Sequence, residues 1–101
     1  MVPTDISDRA EQVAGLLALL SNPHRLRILC TLAEGEAHVG ALCAGLPLSQ
    51  SALSQHLARL REAGVVATRR EAQVIHYRIA DPDVMRLMSA LYDVFCRDQK
   101  P

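Results

Sequence analysis

Apolar residues return along this 101-residue chain at steps of three and four for most of its length, and at steps of two in one short stretch. The helical steps come first. Ile6, Ala10, Val13, Leu16, Leu17 and Leu20 predict a helix from about Thr4 or Asp5 to Leu20. The pattern breaks at Ser21-Asn22-Pro23, where Asn22 suits an N-cap and Pro23 the first position of a second helix reaching about Glu34. Leu26, Leu29, Leu32 and Ala33 are its expected apolar stripe, and Gly35 ends it. A short third helix carries Val39, Leu42, Cys43 and Leu46 at i, i+3, i+4 and i+7 and closes at Pro47. A fourth starts at an N-cap near Ser49, stops at Gly64, and buries Leu53, Leu57, Leu60 and Ala63.

After Gly64 the period changes to two. VVATRRE and QVIHYRI read as two short strands joined by a tight connection around Glu71-Ala72-Gln73, with Arg69 and Arg70 near the tip. Ile75, Tyr77 and Ile79 share one face and are expected to cover the core. Asp81-Pro82 ends the second strand, and a last helix from about Pro82 to Cys96 carries Val84, Leu87, Met88, Leu91, Val94 and Phe95. With no repeat, low-complexity tract or linker, residues 1–101 form one domain, mainly α with a β-hairpin, in the order ααααββα.

The fourth helix has an unusual polar side. PLSQSALSQHLARLREAG sets Ser51, Ser54 and Gln55 opposite its leucines, with Gln50 in the first turn, where a solvated helix face ordinarily carries Glu and Lys. On its own this face also suits a plain polar helix in a bundle. Two helices joined by a short turn and followed by a β wing, however, form a unit whose second helix enters the major groove of DNA. Ser and Gln donate and accept hydrogen bonds, and Ser lets the backbone approach closely, whereas Glu would repel phosphate. Charge follows the same division. Net charge is zero, yet residues 48–79 hold five arginines against two glutamates, while the first twenty hold Asp5, Asp8 and Glu11 against Arg9.

NPHRLRIL (Asn22 to Leu29), LSQSALSQHLARLREAGVV (Leu48 to Val66) and VIHYRI (Val74 to Ile79) resemble the ArsR/SmtB family of bacterial winged-helix repressors over nearly the whole chain. The resemblance implies a winged helix-turn-helix and a homodimer through the first and last helices. It further implies operator reading by Gln50, Ser51, Ser54 and Gln55, with Arg69, Arg70 and Gln73 on the wing. One departure is the wing tip REAQ, which lacks the Gly and extra basic residues common in the family and predicts weaker wing contacts. Physics independently favours a dimer. Two apolar stripes at the ends of a small chain exceed what one thin core covers, and two-fold symmetry then matches a pseudo-palindromic duplex.

The three cysteines, Cys30, Cys43 and Cys96, and the four histidines do not spell a metal site. No two cysteines lie within four residues, ALCAGL lacks the paired thiolates of metal-sensing relatives, and the last helix has no histidine, so no metal and no cofactor are expected. A metal-responsive repressor stays as an alternative. His56 flanks the leucine stripe and reads as a packed or capping residue. Cys43 sits in its helix's core stripe and reads as structural. Cys30 lies off the main stripe of the second helix, and Cys96 ends that of the last. From the residues alone, two unreactive cysteines in a reducing cytosol are the preferred reading, giving a constitutive DNA binder. ILCTLAEGE and LYDVFC are similar to the cysteine segments of the subgroup that includes HlyU, BigR and SqrR. That resemblance implies a switch in which a persulfide or oxidant joins Cys30 and Cys96 through a disulfide or polysulfide. No acid/base pair, nucleophile motif or phosphate loop points to an enzyme. No apolar run approaches a membrane span and no signal layout opens the chain, so a cytoplasmic protein is expected.

Overall fold

Among the described residues, side-chain capping fixes where four of the helices begin. In the computed structural model, which describes residues 4–97, Asn22 is extended and its side-chain oxygen accepts from the backbone N–H groups of His24 at 2.9 Å and Arg25 at 3.1 Å. Two of the four unpaired amides at a helix start are thereby satisfied, and Pro23 occupies the first position, where no amide is needed. The same device recurs downstream. Ser49 accepts from Ala52 at 3.1 Å, and Asp81 accepts from Asp83 at 2.9 Å with Pro82 following it.

The elements are α1 (Thr4–Asp8), α2 (Ala10–Leu20), α3 (Pro23–Ala33), β1 (Ala37–His38), α4 (Val39–Gly45), α5 (Gln50–Glu62), β2 (Val66–Glu71), β3 (Val74–Ile79) and α6 (Pro82–Phe95). Two features depart from the expected order. The first helix is broken at Arg9, whose backbone leaves helical geometry (φ −112°, ψ 20°) and whose Nε donates to Gln12 Oε1 at 3.2 Å. A two-residue strand, β1, precedes α4 and pairs antiparallel with β3 through Ala37 opposite Tyr77 and His38 opposite His76. The sheet order is β1-β3-β2, and β2 pairs with β3 from Val66 opposite Ile79 to Glu71 opposite Val74.

Among the described residues twelve apolar side chains are buried: Leu20, Ile28, Leu29, Leu32, Leu42, Leu53, Leu57, Leu60, Val65, Val66, Val84 and Met88. Ile28, which the leucine-led stripe omitted, is fully buried, while Leu26 and Ala33 only pack against the core's edge. Tyr77 and Ile79 also pack there, but Ile75 is exposed, because the hairpin runs on beyond the body that covers its base. At its tip Ala72 adopts φ +58°, a left-handed backbone that favours glycine and that an L-residue carries at about 1 kcal/mol or more.

Both terminal arms keep apolar surface in solvent. Ile6, Leu17, Tyr92, Val94 and Phe95 are exposed, Val94 by 72% and Phe95 by 64%. Between α1, α2 and the start of α6 runs a groove lined by Ile6, Val13, Leu16, Leu19, Val65 and Leu87. None of the helices among the described residues is long and apolar enough to cross a membrane.

Candidate nucleic-acid interface and thiol pair

Leu53, Leu57 and Leu60 anchor α5 on the core, and that burial decides which side of the helix remains outside. Gln50, Ser51, Ser54 and Gln55 are all exposed. Ser49 caps the helix start, so these four side chains are held on a rigid, well-begun helix that packs against α4. Arg59 and Arg61 lie in its last turn, where cations suit the negative end of the helix dipole.

The wing's two arginines are placed differently. Arg70 is opposite Ile75 and exposed, on the sheet face that covers the core further down. Arg69 points to the other face and is tied down. Its Nε donates to both Glu36 oxygens at 2.9 and 3.0 Å, and its Nη1 to Glu71 at 3.3 Å. These contacts, the Glu36 bond first, raise the Arg69 guanidinium above its ordinary value. Glu71 also lies 3.6 Å from His76. Gln73 is exposed in the tip. Arg70→Ala is therefore expected to reduce the slope of log affinity against log salt by about 0.9, the amount for one phosphate contact, on any duplex. Arg69→Ala is expected to change it less, because Glu36 already balances that charge; equal changes in the two variants would refute the distinction.

The second group of residues lies where α3 packs against α6. Cys30 and Cys96 are both exposed free cysteines, while Cys43 is half-buried at the core's edge. Shielding from solvent, then the charge of Cys96, then that of Glu34 push the Cys30 thiol above the ordinary range. The second cause means that the two sulfurs, 66 positions apart, sit within electrostatic reach. His56 is half-buried and held from the side: Arg25 Nη1 lies 3.4 Å from its Nδ1, and Arg25 Nε donates to the Leu19 carbonyl at 2.5 Å. Sequence reading gave Arg25 no role, although an arginine three residues after a helix cap was its one visible sign. His38 was overlooked in the same way; its Nδ1 caps α4 by accepting from Ala41 at 2.9 Å. Among the described residues no three His, Cys, Asp or Glu side chains are gathered as a metal site would need.

Residues 22–68, which run from the start of α3 through the helix-turn-helix and into the first strand of the wing, match the family model for bacterial regulatory proteins of the arsR family. The chain is 52% identical over 92 residues to a biofilm growth-associated repressor of Agrobacterium fabrum, covering 91% of this chain and 79% of that one. The chain belongs to the arsR family. Its fold is accordingly the winged helix-turn-helix, and its relatives are transcription regulators, so it is a DNA-binding regulator. Reduced HlyU from Vibrio cholerae superposes with a TM-score of 0.85 at 41% identity, over 92% of this chain and 98% of that one. A homodimeric winged helix-turn-helix DNA-binding domain from Mycobacterium bovis, a possible ArsR-family regulator, gives 0.77 at 34% identity, over 93% and 86% of the two chains.

Proposed function

We propose that the protein is a homodimeric repressor that reads a pseudo-palindromic operator with Gln50, Ser51, Ser54 and Gln55. Arg69, Arg70 and Gln73 support it from the wing, and thiol chemistry at Cys30 and Cys96 releases it. The observation that carries the reading is the face of α5: four exposed, uncharged hydrogen-bonding side chains directly behind three buried leucines, on a helix that an adjacent basic wing flanks. The exposed apolar surface of α1, α2 and α6 supports the dimer, since a second copy would cover Leu17, Val94 and Phe95 and the groove beside them. The homodimeric Mycobacterium bovis domain supports it too. A cytoplasmic setting keeps the thiols reduced until a signal arrives.

The switch rests on two exposed free thiols, one on α3 and one at the end of α6, the elements that pack together, with the Cys30 thiol raised first by burial and then by Cys96. In the proposed sequence the Cys30 thiolate takes the sulfane sulfur of a small persulfide, RSSH, and releases RSH. Cys96 then attacks the Cys30 sulfur and expels hydrosulfide, so that the two protein thiols are oxidised and one sulfane sulfur is reduced to sulfide. The new bond clamps α3 to α6, and because α6 also lies in the dimer contact, the angle between the two reading helices changes. Allosteric coupling of this kind is typically about 1 to 3 kcal/mol, which corresponds to an affinity loss of about 5- to 150-fold.

The test is operator affinity of the fully reduced protein and after glutathione persulfide, with mass spectrometry for a Cys30–Cys96 link. The expected result is preference for a promoter fragment over random duplex, lost on treatment in the unsubstituted protein and kept in Cys30→Ser. Equal loss in both proteins would sink the switch. Because the Cys30 thiol is raised, its alkylation by iodoacetamide is expected to accelerate with pH to above the ordinary thiol range. In Cys96→Ser the midpoint should move down, since one of the causes has been removed.

A further inference from the structure

Two arginine-histidine pairs lie side by side where α3 meets α5. Arg25 Nη1 is 3.4 Å from His56 Nδ1, Arg27 Nη1 is 3.4 Å from His24 Nδ1, and the two imidazole rings are 5.8 Å apart. A guanidinium only donates, so in these contacts each Nδ1 is placed to accept. Arg59 follows His56 by three residues and Gln55 by four, which joins this cluster to the exposed polar face of α5. The cluster is uniformly basic. Among the described residues Arg69, Arg86 and Arg97 each have a carboxylate partner, whereas Arg25, Arg27 and Arg59, like Arg9, Arg61, Arg70 and Arg78, have none. Arg25 is buried and serves the fold through the Leu19 carbonyl, but Arg27 and Arg59 are exposed and both histidines half-exposed.

We propose that His24, Arg27, His56 and Arg59 form a patch that holds backbone phosphate of the duplex beside the bases read by α5, and that His56 takes up a proton on binding. The proposal rests on the DNA-reading function above and extends it. Gathering cations without an anion is unfavourable in the free chain and becomes favourable when a polyanion arrives, which is the electrostatic signature of a phosphate contact. Such contacts set position and orientation rather than sequence, so the patch complements the uncharged reading face.

The proton follows from the same charges. In the free chain burial comes first, and then Arg25 and His24 from α3 and Arg59 from its own helix, in holding His56 below the ordinary imidazole value. A phosphate reverses the sign of the local potential and favours imidazolium at His56, whose protonated Nδ1 no longer accepts from Arg25. The complex thus binds more protons than its separated parts, and affinity rises as pH falls.

The test uses the full chain and the variants Arg27→Gln, Arg59→Gln and His56→Gln, all with unchanged circular dichroism, titrated with an operator fragment and with random duplex. In each arginine variant the slope of log affinity against log salt is expected to fall by about 0.9, with operator and random duplex weakened alike. Affinity of the unsubstituted protein is expected to rise severalfold between about pH 7.5 and about pH 6, across the imidazole range, and His56→Gln to flatten that rise. Normal operator preference with salt and pH responses unaltered in all three variants overturns the patch. Absence of any operator preference in the unsubstituted protein overturns the reading beneath it instead.

Discussion

Phe95→Asp is expected to convert the proposed dimer to monomer and to lower operator affinity at least about a hundredfold, the lower end of what linking two binding heads contributes. Phe95 is 64% exposed near the end of α6, beside Val94 and one turn after Tyr92, while Leu17 and Ile6 are exposed on α2 and α1. Burying a phenylalanine side chain contributes about 1.5 to 3 kcal/mol. Two-fold symmetry counts each change twice, and a carboxylate enclosed in an apolar contact without a partner adds a penalty of several kcal/mol. Few dimers of this size survive that. The fold itself should persist, because Phe95 does not belong to the buried core. Sedimentation equilibrium and operator titration check both halves; a dimeric Phe95→Asp protein with unchanged affinity would rule this contact out.

The second large effect lies on the opposite side of the reading helix. Leu57 is 1% exposed, between Leu53 and Leu60, and Leu57→Ala is expected to destabilise the protein by about 2 to 5 kcal/mol, the range for emptying a core leucine site. Stability of a domain is about 5 to 15 kcal/mol, so this one side chain is a large share of it. Ser54→Ala, three positions away on the exposed face, is expected to change stability by less than about 0.5 kcal/mol. Urea titration at one fixed protein concentration measures both, since dimerisation would make the midpoint concentration-dependent. Similar losses in the two variants would show that α5 is not anchored as described.

The contrast also marks how far sequence reading reaches. The caps at Asn22 and Ser49 were legible because a cap is made by a side chain and amides two or three residues on, and the chain itself supplies that proximity, whereas Asp81, read only as the end of a strand, also caps the last helix. The buried leucines of α5 were legible because period and rotation fix one face against the other. The hairpin was legible through its change of period. The break at Arg9 and the burial of Ile28 were not, since both depend on which neighbour the helix meets.

What the sequence determined by itself is the helix and strand order, the uncharged outer face of α5 and the membership that its motifs announce. Only the tertiary structure decided that Glu36 holds Arg69 across 33 positions, that Arg25 reaches His56 across 31, and that β1 exists at all, since a two-residue strand is defined by β3 beside it. It also decided that Ile75 lies past the edge of the core and that Cys30 feels Cys96. The reason is range: capping and periodicity act within a few residues, whereas these juxtapositions arise when separate elements pack, and no local pattern encodes which side chains then meet.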